Sequence, residues 1–129
     1  MKIENAKAQM RKGVLEYCIL SLTQNKDMYS SDIISSLKKS ELIVVEGTLY
    51  PLLTRLKNAG LLTYRWEESK SGPPRKYYGI TDSGKSFLQE LNDTWGNLVN
   101  AVSKITNTET EENNSEELSQ TNNKQDQND

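Results

Sequence analysis

Histidine is absent from the 129 residues, and cysteine occurs once, at Cys18. Without histidine, the usual zinc constellations and the serine–histidine and cysteine–histidine nucleophile pairs are excluded. A lone cysteine permits no internal disulfide. The longest apolar runs are a few residues, far short of the ~20 that cross a bilayer. The opening Met1-Lys2-Ile3-Glu4-Asn5-Ala6 lacks the apolar stretch of a secretory signal, so a cytoplasmic protein without membrane contact is expected. No metal, no cofactor and no catalytic site are expected either. The length suits one compact domain, with little left for a second.

The net charge of −2 hides an asymmetry. Residues 1–106 carry 15 Lys and Arg against 11 Asp and Glu, a surplus of +4. Residues 107–129 carry one cation and seven acids, and Leu118 is their one aliphatic side chain. Such a stretch buries too little surface to offset the entropy of ordering it, so an acidic disordered tail is expected over 107–129. What remains is a mildly basic folded unit.

Within that unit, residues 5–23 read as a helix whose second half is apolar nearly all round, with Cys18 as a small hydrophobe. Residues 30–39 read as a second helix, with Ser30 or Ser31 as its cap. A third helix over 47–58 places Leu49, Leu52, Leu53 and Leu56 on one stripe and stops at Gly60. Its opposite face holds Gly47, Pro51, Thr54 and Asn58, flanked by Thr48, Tyr50 and Arg55, with no aliphatic side chain. Two strands follow, at 62–67 and 75–80, the second with Tyr78 and Ile80 inward. The turn between them, Ser69 to Pro74, is stiffened by two prolines and flanked by Lys70, Arg75 and Lys76.

The last helix runs from about Asp82 to Ile105, capped by Thr81 or Asp82. Leu88, Leu91, Trp95, Leu98, Val102 and Ile105 recur at alternating steps of three and four. That narrow seam calls for a partner helix, and the same helix of a second copy is the expected partner. The expected fold is therefore mainly α with a two-stranded β-wing: a winged helix-turn-helix over 1–80 and a dimerisation helix over 81–106. In such a module the third helix enters the DNA major groove while wing cations meet phosphates. Arg55, flanking the polar face, is a candidate phosphate contact.

Several ordered strings make the likeness specific. They are Glu46-Gly47-Thr48-Leu49-Tyr50-Pro51-Leu52-Leu53-Thr54-Arg55-Leu56, Gly60-Leu61-Leu62, Trp66-Glu67 and Gly72-Pro73-Pro74-Arg75-Lys76-Tyr77-Tyr78. Together with Ile80-Thr81, Gly84 and Leu88, they resemble the PadR family of bacterial transcriptional regulators over about residues 8–106. The resemblance implies a homodimer that binds a pseudo-palindromic operator in double-stranded DNA, usually as a repressor, and is released by a small molecule or another signal. It also implies contacts from Thr48, Tyr50 and Pro51 at the start of the third helix, and from Lys70, Gly72, Pro73, Arg75 and Lys76 in the wing. The segment Met28 to Ile33 departs from the family, which often has glycine and an aromatic where Ser30 and Ser31 stand. A hydroxyl of Ser31 there suits a phosphate contact.

Trp95 reads first as an anchor of the dimer seam, and second, with Leu91, as a wall against which a planar aromatic effector stacks. Regulation by a protein partner or by abundance, without a small effector, is the alternative. A remote one is a nucleotide hydrolase, because Gly79-Ile80-Thr81-Asp82-Ser83-Gly84-Lys85-Ser86 satisfies the phosphate-loop pattern G-x-x-x-x-G-K-S. Against that reading, such a loop works within a multi-stranded parallel sheet, which the preceding residues do not supply.

Overall fold

The computed structural model describes residues 1–107, so all but Asn107 of the expected acidic tail lies outside the described residues. Among them, no helix is long and apolar enough to cross a membrane. The element order is α1 (Ile3–Thr23), β1 (Met28–Tyr29), α2 (Ser30–Lys39), α3 (Glu46–Asn58), β2 (Leu62–Ser69), β3 (Gly72–Ile80) and α4 (Asp82–Thr106). The first compact unit spans Met1–Leu91 and the second begins at Asn92.

The core of the first unit forms where the apolar stripes meet. Leu15, Ile19 and Leu20 of α1, Ile33 and Leu37 of α2, and Leu49, Leu53 and Leu56 of α3 are buried together. Leu52, expected beside them, is only partly buried. Cys18 is half-buried, and desolvation pushes its thiol pKa up, which disfavours the thiolate.

Helices α2 and α3 end by the same device. After α3, Gly60 takes φ 78°, its N–H donates to the Lys57 carbonyl, and the Leu61 N–H donates to the Leu56 carbonyl. This is the Schellman closure that glycine favours. After α2, the non-glycine Glu41 takes φ 68° in the equivalent place, with the Leu42 N–H donating to the Leu37 carbonyl. The N-terminus of α2 differs from expectation. Neither serine is its cap: Tyr29 precedes the helix, and its N–H donates to Asp32 Oδ2 at 3.1 Å.

The sheet contains the expected two-stranded wing, β2 and β3, and adds a short third strand. It has three strands in the order β1-β3-β2, all antiparallel, with Met28 opposite Tyr78 and Tyr29 opposite Tyr77. Two residues are too few to show the alternation that marks a strand, which hid β1 in the sequence. The hairpin also turns earlier than expected, because Pro73 and Pro74 lie in β3. Pairing passes from Glu67–Arg75 to Ser69–Gly72, so two residues on β3 face Glu68 alone. Such a bulge accommodates prolines that have no N–H to give a ladder.

A compact polar joint fixes the start of α4. Thr81 Oγ1 donates to the Gly60 carbonyl at 2.6 Å and accepts the Gly84 N–H at 2.9 Å, while the Thr81 N–H donates to the Leu61 carbonyl at 3.1 Å. Thr81 is thus the cap, and it ties α4 to the end of α3. Leu88 also requires a correction. Expected in a seam between subunits, it is 2% exposed within the core of its own unit, and Leu91 packs against that core. A seam of fixed period does not reveal where its first turns are already covered by the same chain. The exposed part of the stripe comprises Trp95, Leu98, Val102 and Ile105.

Candidate nucleic-acid interface

Helix α3 buries Leu49, Leu53 and Leu56 and leaves Thr48, Tyr50, Pro51 and Thr54 at the surface. Pro51 sits early in the helix, where a missing N–H costs least. Tyr50 is 43% exposed, and its hydroxyl lies 3.2 Å from the Oγ of buried Ser30. That bond spans α2 and α3 and fixes the ring against the helix-turn-helix. Ser31, one residue on, is exposed at the start of α2. Arg55 takes a different direction from this group: its Nη1 lies 3.3 Å from Glu16 Oε1 of α1. Arg55 is exposed while Glu16 is largely covered, so solvent still screens the pair and its contribution to stability is modest.

Lys70 and Gly72 lie at or beside the exposed tip of the hairpin. The register and the two-residue period place the other cations on opposite faces of the sheet. Tyr64, Trp66, Lys76 and Tyr78 share one face. Lys76 Nζ lies 4.4 Å from the ring centre of Tyr64 and 5.2 Å from that of Trp66. Arg65, Glu67, Arg75 and Tyr77 share the other. There Arg75 stacks over Tyr29 at 4.8 Å and Arg65 over Tyr77 at 5.0 Å. Arg65 also bonds Asp27 and Glu67, each at 3.0 Å, and these hydrogen bonds raise its pKa further.

Arg75 and Lys76 are therefore held by aromatic rings, each contact worth about 0.5–1 kcal/mol at an exposed site. This arrangement limits the conformational freedom lost when an ammonium or guanidinium meets an anion. Sequence reasoning named Lys76 and Arg75 but missed their holders, Tyr64, Trp66 and Tyr29. The alternation of Leu62, Tyr64 and Trp66 was the available signal; the register that sets them opposite Lys76 was not. Tyr78 is buried as expected, and desolvation, with smaller effects from Tyr50 and Tyr64, raises its pKa. Tyr29, Ser30, Tyr50, Trp66, Arg75 and Lys76 border a cleft of about 180 Å³ between α3 and the wing.

The string that matches a phosphate loop has structural work of another kind. Gly79 lies in antiparallel β3 against Asp27, and the Gly84 N–H is taken by Thr81.

Three packed helices, the third with a bare polar face beside a cation-bearing hairpin, define a winged helix-turn-helix protein. The family model described as "Transcriptional regulator PadR-like family" matches residues 19–90, more than half of the chain. The chain belongs to the PadR-like family of transcriptional regulators. A PadR-like transcription factor structure from Bacteroides fragilis is 60% identical with a TM-score of 0.68, over 79% of this chain and 99% of that one. A PadR family regulator from Eggerthella lenta is 33% identical with a TM-score of 0.73, over 80% and 90% of the two chains. The "Negative transcriptional regulator PadR" of Bacillus subtilis is 36% identical over 84 residues, covering 62% of this chain and 44% of that regulator.

Proposed function

We propose that the protein is a cytoplasmic, dimeric repressor that binds a pseudo-palindromic operator through α3 and the wing. The observation that carries this reading is the exposed Thr48, Tyr50, Pro51 and Thr54 face, set beside ring-held Lys76 in a PadR-like chain. The repressor role is supported by the name of the Bacillus subtilis relative. Two reading helices on one duplex face must lie about 34 Å apart, or a small multiple of that. The exposed stripe of α4 is the surface suited to setting that distance between two copies.

Replacing Lys70, Arg75 and Lys76 together by alanine tests the wing. Each phosphate contact contributes about 0.9 to the slope of log affinity against log salt. The triple variant should therefore flatten the slope by roughly 2–3 and weaken binding to all sequences alike. Unchanged affinity and slope would remove the wing from the interface.

The effector part of the proposal rests on Trp95, whose indole is exposed on the same stripe as Leu98 and Val102. A ligand that prefers one dimer geometry changes operator affinity by its difference in affinity for the two. In a Trp66→Phe protein Trp95 is the remaining tryptophan. Its emission should be quenched saturably by some member of a panel of flat aromatic cations and phenolic acids. No quenching across the panel favours control by a protein partner or by abundance.

A further inference from the structure

Trp66 is the largest side chain of the wing and is 61% exposed. Its position is not that of a loose surface residue. The ring stands edge-on to Tyr64, with centroids 6.2 Å apart and planes at 87°, and the Lys76 ammonium is shared between the two rings. Beside it lies an open groove that Trp66 forms with Pro73, Pro74 and Glu68. On the other side, the cleft of about 180 Å³ separates it from Tyr50 of α3.

We propose that Trp66 is a DNA-contact residue, packing its indole on the sugars of the one backbone strand that passes between α3 and the wing. The proposal rests on the DNA-binding reading and extends it to a residue on the wing's inner face. A single sugar–phosphate strand separates the major groove from the neighbouring minor groove. With α3 in the first and the hairpin tip at the second, that strand must cross the space between Tyr50 and Trp66.

The chemistry of the walls fits this occupant. Lys76 and Arg75 offer cations to a phosphate, the Tyr50 hydroxyl offers a hydrogen bond, and the indole with Pro74 meets the apolar face of deoxyribose. Glu68 is the one carboxylate lining the groove behind Trp66, and its charge repels the phosphates of a strand passing the indole. Its removal should tighten binding.

The test uses the full chain and a mixed-sequence 30-base-pair duplex at low salt, since a backbone contact needs no operator. Binding is followed by the anisotropy of a label on the duplex. Trp66→Ala should weaken binding roughly tenfold, and Glu68→Gln should strengthen it about twofold. Wild-type tryptophan emission should change on adding DNA and become less accessible to acrylamide. That response should vanish in Trp66→Phe, where Trp95 is the remaining indole. Thermal melting establishes that each variant is folded. Binding that leaves tryptophan emission unaltered, with Trp66→Ala as tight as wild type, overturns the role of Trp66 and leaves the DNA reading intact. Absence of binding by every form, wild type included, overturns both.

Discussion

Gly84→Ala should lower the melting temperature by roughly 10 °C, the effect of about 2 kcal/mol in a domain this small. A Cβ at this position would stand 2.2 Å from the Leu61 carbonyl oxygen and 2.6 Å from Ile80 Cγ1. The carbonyl cannot step aside cheaply, because it accepts the Thr81 N–H and belongs to the joint between α3 and α4. Overpacking of this kind costs about 1–3 kcal/mol or more. The gain of up to ~1 kcal/mol from replacing a helical glycine by alanine offsets only part of it. Gly79→Ala is the informative comparison. There the Cβ would meet the Asp27 carboxylate at 2.3 Å, a side chain that can rotate away. The cost is then mainly the exposed Asp27–Arg65 pair, about 0–1 kcal/mol. Calorimetric melting of both variants decides the matter: a Gly84→Ala midpoint within 2–3 °C of wild type, by an ordinary margin of roughly half a kcal/mol, would refute the joint.

Leu98→Glu combined with Val102→Glu should reduce operator affinity at least 100-fold while leaving the melting of the first unit nearly unchanged. Both side chains are about half exposed in the single chain, at 51% and 47%, and the core of the first unit does not use them. Two acids in each copy of a shared seam would repel across it and remove its apolar contact. Separate chains then bind half-sites singly, without the effective concentration that links the second contact to the first. That link is worth about 10²–10⁴ in affinity. Sedimentation would show single chains, and titration of an operator duplex would show the weakened binding. A double variant that sediments and binds as the wild type does would assign the dimer, or the need for one, elsewhere.

The sequence revealed the elements whose signals are periodic or sharply punctuated. The Leu49, Leu53 and Leu56 stripe set the orientation of α3, and Gly60 marked its end. Where a signal depends on three-dimensional pairing, it was silent. Two residues, Met28 and Tyr29, cannot display a strand period, and β1 forms because β3 offers them an edge. Glu41 takes a left-handed backbone that its identity does not announce, since the closure of α2 compels it. Asp32, not a serine, serves the N-terminus of α2, which leaves Ser30 to reach Tyr50.

The candidate interface divides along the same line. A polar α3 face and a cation-rich hairpin were legible as residue types. The division of Arg75 and Lys76 between two faces depends on the β2–β3 register, as does the prominence of Trp66. Arg55 flanks the polar face in the helical pattern, but its pairing with Glu16 depends on where α1 lies in the fold. Leu88 obeyed the seam's spacing and was nevertheless claimed by the core.

The most direct measurement is the mass of the complex formed by the full chain and a duplex recovered from genomic fragments, determined by analytical ultracentrifugation. Two chains on one duplex, falling to one or none when Leu98 and Val102 carry acids, is the outcome this account requires. A stable complex of one chain per duplex, indifferent to those substitutions, would contradict it.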